Sequence, residues 1–69
     1  MSQEKVYKIL QELGGMATTG EISRVAKQKY PTANLYHYVS TRLGQLEKFH
    51  IVERIKTKEG FKWKILRKF

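Results

Sequence analysis

Residues 31–54, PTANLYHYVSTRLGQLEKFHIVER, decide how the rest of the chain is read. Leu35, Val39, Leu43, Leu46 and Phe49 recur at spacings of three and four, the pattern of one buried stripe on a helix. Opposite them lie Asn34, His37, Thr41, Gln45 and Lys48, with Tyr38 and Arg42 on one flank and Tyr36 and Ser40 on the other. These are mostly short or planar hydrogen-bonding groups, whereas a face that only meets water is commonly filled with Glu and Lys. Beyond the helix, Ile51 and Val52 open a β-branched run that is expected to turn and come back as a basic hairpin.

Working outward from this stretch, Pro31 disfavours helical geometry at Tyr30 and allows a fresh helix start near residues 32–34. Upstream of it, Thr18-Thr19-Gly20-Glu21 reads as a capping box, and Ile22, Val25, Ala26 and Tyr30 form the stripe of a shorter helix. A short helix, a tight connection and a longer helix make a helix-turn-helix. Earlier still, Ser2 is a candidate cap and Glu4 an acid in the first turn of a helix whose stripe is Val6, Ile9, Leu10 and Leu13. Gly14-Gly15 should end that helix, and Glu4 and Lys8 form a favourable i, i+4 pair. Residues 16–18 are too short for an independent strand but can add an edge to a sheet built elsewhere.

Downstream, the third helix should end near Phe49. His50 stands where a helix end commonly takes glycine, so a left-handed or strained backbone is expected there. Residues 51–57 and 61–67 read as two strands joined by Lys58-Glu59-Gly60, with Gly60 available for a left-handed position. Phe61, Trp63 and Ile65 alternate with Lys62, Lys64 and Leu66, giving an apolar and a largely basic face, with Trp63 in the core.

The totals limit what such a chain can be. Sixty-nine residues make a single domain over 1–69 with a small core. With no cysteine, neither disulfides nor thiolate metal sites can stabilise it, while 41% hydrophobic residues suffice for a packed interior. No run approaches the roughly 18 apolar residues of a membrane span, and the N-terminus lacks a signal-like apolar segment. A cytoplasmic chain without a membrane partner is therefore expected, nucleoid-associated if prokaryotic. The net charge is +8, and it is uneven: residues 1–31 carry +2 and residues 32–69 carry +6. Such an excess points first to nucleic acid, then to an anionic membrane, and otherwise only to solubility.

Val39-Ser40-Thr41-Arg42-Leu43-Gly44-Gln45-Leu46-Glu47-Lys48 followed by Ile51-Val52-Glu53-Arg54 resembles the recognition helix and first wing strand of small prokaryotic winged helix-turn-helix regulators. The resemblance spans Val6 to Ile65, with His50 departing from the usual glycine. It implies an α+β fold of three helices and a C-terminal two-stranded wing, with a short third strand near residues 16–18. It also implies that helix three enters the major groove of double-stranded DNA, as an α-helix can. Ala17-Thr18-Thr19 and Trp63-Lys64-Ile65 are similar to the Z-DNA-binding variety of winged helix. That variety's Asn and Tyr positions fall on Ser40 and Gly44 here, and its wing prolines are missing, so left-handed DNA is not the expected ligand.

The candidate DNA-contacting residues are Asn34, His37, Tyr38, Ser40, Thr41, Arg42 and Gln45 on the helix and Lys56, Lys58, Lys62 and Lys64 on the wing. Thr18, Thr19 and Lys48 are candidates for the DNA backbone, although capping alone explains the two threonines. Gly44 either permits a close approach or has no role. No cofactor or small-molecule ligand is expected, and no catalysis: paired carboxylates are lacking, Glu47 and Glu53 read as surface ion-pair partners, and His37 and His50 lie too far apart to share a metal. The expected function is sequence-specific DNA binding by a transcription regulator. Non-specific DNA or RNA binding, or a protein-interaction module of the same fold, are the alternatives. Helix one and the tail from Leu66 to Phe69 are candidate surfaces for a homodimer.

Overall fold

The computed structural model describes residues 3–31 and 38–69. They form three helices and a three-stranded antiparallel sheet in the order α1 (Gln3–Glu12), β1 (Met16–Ala17), α2 (Thr19–Lys29), α3 (Val39–Lys48), β2 (Val52–Thr57) and β3 (Gly60–Ile65). The Ser2 cap, the helix start near residues 32–34, and Asn34, Leu35, Tyr36 and His37 lie outside the described residues.

Helix ends are set by specific backbone geometry. After α1, Gly14 and Gly15 take φ of +92° and +88°. Their N–H groups donate back to Gln11 O (3.1 Å) and Leu10 O (3.0 Å), the paired bonds of a Schellman turn. The same turn closes α3, with His50 N–H donating to Glu47 O and Ile51 N–H to Leu46 O, both at 3.0 Å. His50 occupies the left-handed position at φ +59°, as expected, where a side chain costs roughly 1–2 kcal/mol. At the start of α2 both halves of the capping box form. The Thr18 hydroxyl accepts from Glu21 N–H (3.1 Å), and the Glu21 carboxylate accepts from Thr18 N–H (2.9 Å).

The core gathers one face of every element: Val6, Ile9 and Leu10 of α1, Ile22 and Ala26 of α2, Val39, Leu43 and Leu46 of α3, and Ala17, Val52 and Trp63 of the sheet. Tyr7, which the α1 stripe omits, is also buried. Phe49 is not part of the core; it is 55% exposed. α3 ends at Lys48, Phe49 is its C-cap, and the left-handed His50 turns the chain so that Ile51 packs against the core instead.

β3 is the central strand. β1 pairs with it through Met16–Lys64 and Ala17–Trp63, so the edge strand expected near residues 16–18 is two residues long, with Thr18 already serving as the α2 cap. β2 pairs with β3 from Val52–Ile65 to Thr57–Gly60, leaving Lys58 and Glu59 as the turn. Gly60 has φ +115°. The Thr57 hydroxyl donates to Gly60 O (2.7 Å) and accepts from Glu59 N–H (3.2 Å), which fixes the turn internally.

β3 stops at Ile65, short of the expected residue 67; Leu66 N–H still donates in register to Ile51 O (2.8 Å), and beyond it the tail crosses toward the helices. There the Arg67 guanidinium donates to Phe49 O (2.7 Å) at the negative end of α3, the Tyr7 hydroxyl to Arg67 O (3.4 Å), and the Phe69 ring lies 5.7 Å from the Tyr7 ring. Glu4–Lys8 pair at 3.2 Å within α1, and Glu12–Lys29 at 2.7 Å join α1 to α2. Among the described residues, no cation is at ion-pair distance from the half-buried Glu47 or the exposed Glu53, so neither has the ion-pair partner its neighbours suggested.

Candidate nucleic-acid interface

The outward face of α3 follows from its buried one. With Val39, Leu43 and Leu46 turned inward, Tyr38, Ser40, Thr41, Gly44 and Lys48 are exposed. Thr41, Gly44 and Lys48, at i, i+3 and i+7, lie along one line of the helix. An added Cβ at Gly44 would meet nothing within 4 Å, so the bare backbone there is open to anything that approaches.

Gln45 and Arg42 sit off that line. Both are half-buried on the flank facing α1, where the Gln45 side-chain oxygen accepts from Gln3 (2.9 Å) and from the Arg42 guanidinium (3.0 Å). The expected outward Gln45 is therefore a bridge between helices, with its amide nitrogen still available as a donor. Asn34 and His37 lie outside the described residues.

At the start of α2, the Thr18 hydroxyl is taken up by capping, and the Thr19 hydroxyl oxygen accepts from the Trp63 indole N–H (2.8 Å). That bond locks β3 to the helix start, and the Thr19 hydroxyl can still donate outward. The Thr18 N–H, followed by the Thr18 hydroxyl, holds the Glu21 carboxyl below its ordinary value; nearby Lys62 and Arg24 act in the same direction.

The hairpin has two unlike faces. Cross-strand pairing puts Glu53, Lys64, Ile55 and Lys62 on one face, and Val52, Ile65, Arg54, Trp63, Lys56 and Phe61 on the other. The four lysines of the hairpin thus divide: Lys62 and Lys64 together, Lys56 on the opposite side, and Lys58 at the turn. Lys62 is half-buried and 4.0 Å from Glu59. No carboxylate among the described residues is at ion-pair distance from Arg54, Lys56, Lys58 or Lys64.

Two residues of this surface escaped the sequence reading. Phe61 continues the apolar alternation with Trp63 and Ile65, yet it is 50% exposed while Trp63 is 6% exposed. Arg54 stands over the Phe61 ring, 4.7 Å from its centre. The signal was present in the register, since Phe61 pairs with Lys56, one step from the turn, where little remains to cover it.

Among the described residues, no cluster of His, Asp or Glu could hold a metal ion, and no helix is long and apolar enough to cross a membrane. Comparison with models of protein families, with curated proteins and with solved structures gives no match.

Proposed function

We infer that the chain is a winged helix-turn-helix domain that binds double-stranded DNA as a transcription regulator. α3 faces the major groove, and the β2–β3 hairpin is the wing on the flanking backbone. Support comes from the element order, from the β1-β3-β2 sheet with its two-stranded extension, and from a charge of +8. The observation that carries the reading is the set of cations on the hairpin without acidic partners, Arg54, Lys56, Lys58 and Lys64, in the same small domain as a helix face of short hydrogen-bonding groups. A surface of that kind matches phosphates on both sides of a groove, and its affinity should fall steeply with salt.

One observation favours a less selective binder. With Gln45 tied to Gln3 and Arg42, the described outward part of α3 offers Ser40 and Thr41 as short polar groups for base edges, and these accept several base partners. Titrating the chain against a random duplex pool and against sequences selected from it, at several salt concentrations, tests both readings. Steep salt dependence with enrichment of one sequence supports a regulator. Steep salt dependence without enrichment supports backbone binding alone, and no binding at low salt overturns both in favour of a protein-interaction role.

A further inference from the structure

The hairpin face that carries Trp63 changes character along its length. At its inner end Val52 and Trp63 are buried beneath the helices. One pair further out, the same face presents a half-exposed phenyl ring, Phe61, with Lys56 directly across the ladder and the Arg54 guanidinium 4.7 Å from the ring centre. No carboxylate among the described residues neutralises either cation. Glu53, the acid nearest in sequence, points to the opposite face.

We propose that Phe61, Arg54 and Lys56 form a seat for one unstacked base of the bound nucleic acid, the base replacing the Arg54 guanidinium on the Phe61 ring while Arg54 and Lys56 turn to its flanking phosphates. This rests on the nucleic-acid reading and names the form of ligand that the hairpin takes. Aromatic rings accept any base, because every base has a π face, and cations beside the ring hold the backbone on either side. Protein-docking patches are built from several adjoining apolar side chains with charged residues depleted at the centre. Here a single ring stands beside two uncompensated cations of the neighbouring strand, so charge complementarity favours a polyanion.

The experiment measures fluorescence anisotropy of a labelled duplex, of the same duplex carrying a short mismatch bubble, and of one of its single strands. The proteins are the wild type, Phe61→Ala, Phe61→Leu and Phe61→Trp, each checked for unchanged thermal melting. The wild type should bind the bubble at least about fivefold more tightly than the intact duplex, the lower end of what one base–aromatic stack contributes. Phe61→Ala and Phe61→Leu should bring that ratio to about one, and Phe61→Trp should keep it. A wild-type ratio near one, or a preference that survives in Phe61→Leu, overturns the proposal. Phe61-dependent binding to the bubble or single strand without binding to the intact duplex would sink the regulator reading and leave this seat standing; no binding to any probe overturns both.

Discussion

At Gly44, folding and binding pull in opposite directions. Glycine inside a helix costs about 1 kcal/mol relative to alanine, and nothing in the structure occupies the place a Cβ would take. Gly44→Ala should therefore raise stability by about 0.4–1 kcal/mol, read as a higher urea midpoint at unchanged slope. The added methyl projects from the line of Thr41 and Lys48, so if this face seats against DNA, the more stable variant should bind duplex more weakly. A variant that gains stability and binds as before would place the contact elsewhere on α3. His50 and Gln45 show what a sequence reveals at this scale. The left-handed backbone at His50 was legible because it follows from local chain geometry alone. The inward turn of Gln45 was not, because its partner Gln3 is far away in the chain and meets it only after α1 and α3 have packed.

At the scale of elements, the capping box that starts α2 carries a pH signature. Glu21 has a folded pKa below its ordinary value of 4.5, caused first by the Thr18 N–H and then by the Thr18 hydroxyl. A lowered carboxyl pKa means that the ionised form is favoured by folding. Its stabilisation is fully present above 4.5 and is lost as pH falls through the folded value. Glu21→Gln keeps an acceptor for the Thr18 N–H but cannot titrate. Thermal melts should show the wild type more stable than the variant above pH 4.5, with the difference closing as the pH falls below it. A wild-type excess that persists or widens in acid would contradict this.

The hairpin makes a separate prediction. Lys58 and Lys64 have no acidic partner among the described residues, whereas Lys62 is half-buried near Glu59 and close enough to Glu21 to favour its charge. Under the DNA reading, Lys58→Ala or Lys64→Ala should each lower the slope of log affinity against log salt by about 1, across all duplex sequences, and Lys62→Ala by less. Equal effects from all three would mean that Lys62 leaves its acids on binding. Sequence alternation put Lys62 and Lys64 on one face of the second strand, but that Lys56 lies on the opposite face of the hairpin needed the register, which depends on where the turn closes.

For the molecule as a whole, the decisive feature is that β3 belongs to both halves of the chain. It pairs with β2 beside it in sequence and with β1 from the N-terminal half, where Ile65 N–H also donates to Gly15 O (2.8 Å). Trp63 on this strand is buried in the common core and bonded through its indole to Thr19. None of the parts is stable alone. A two-stranded hairpin is marginal in water, and helices of 10 or 11 residues are shorter than the length at which isolated helices persist. The chain should consequently unfold in one step, with Trp63 fluorescence and far-UV circular dichroism tracing the same urea transition at the same midpoint. The indole reports the junction of hairpin and α2, while the dichroism reports mainly the helices. A fluorescence midpoint clearly below that of the dichroism would mean that the hairpin detaches while the helices stay folded. In that case the hairpin would reach any ligand as a loosely held arm, and the fixed spacing between Phe61 and the outer line of α3 would not exist before binding.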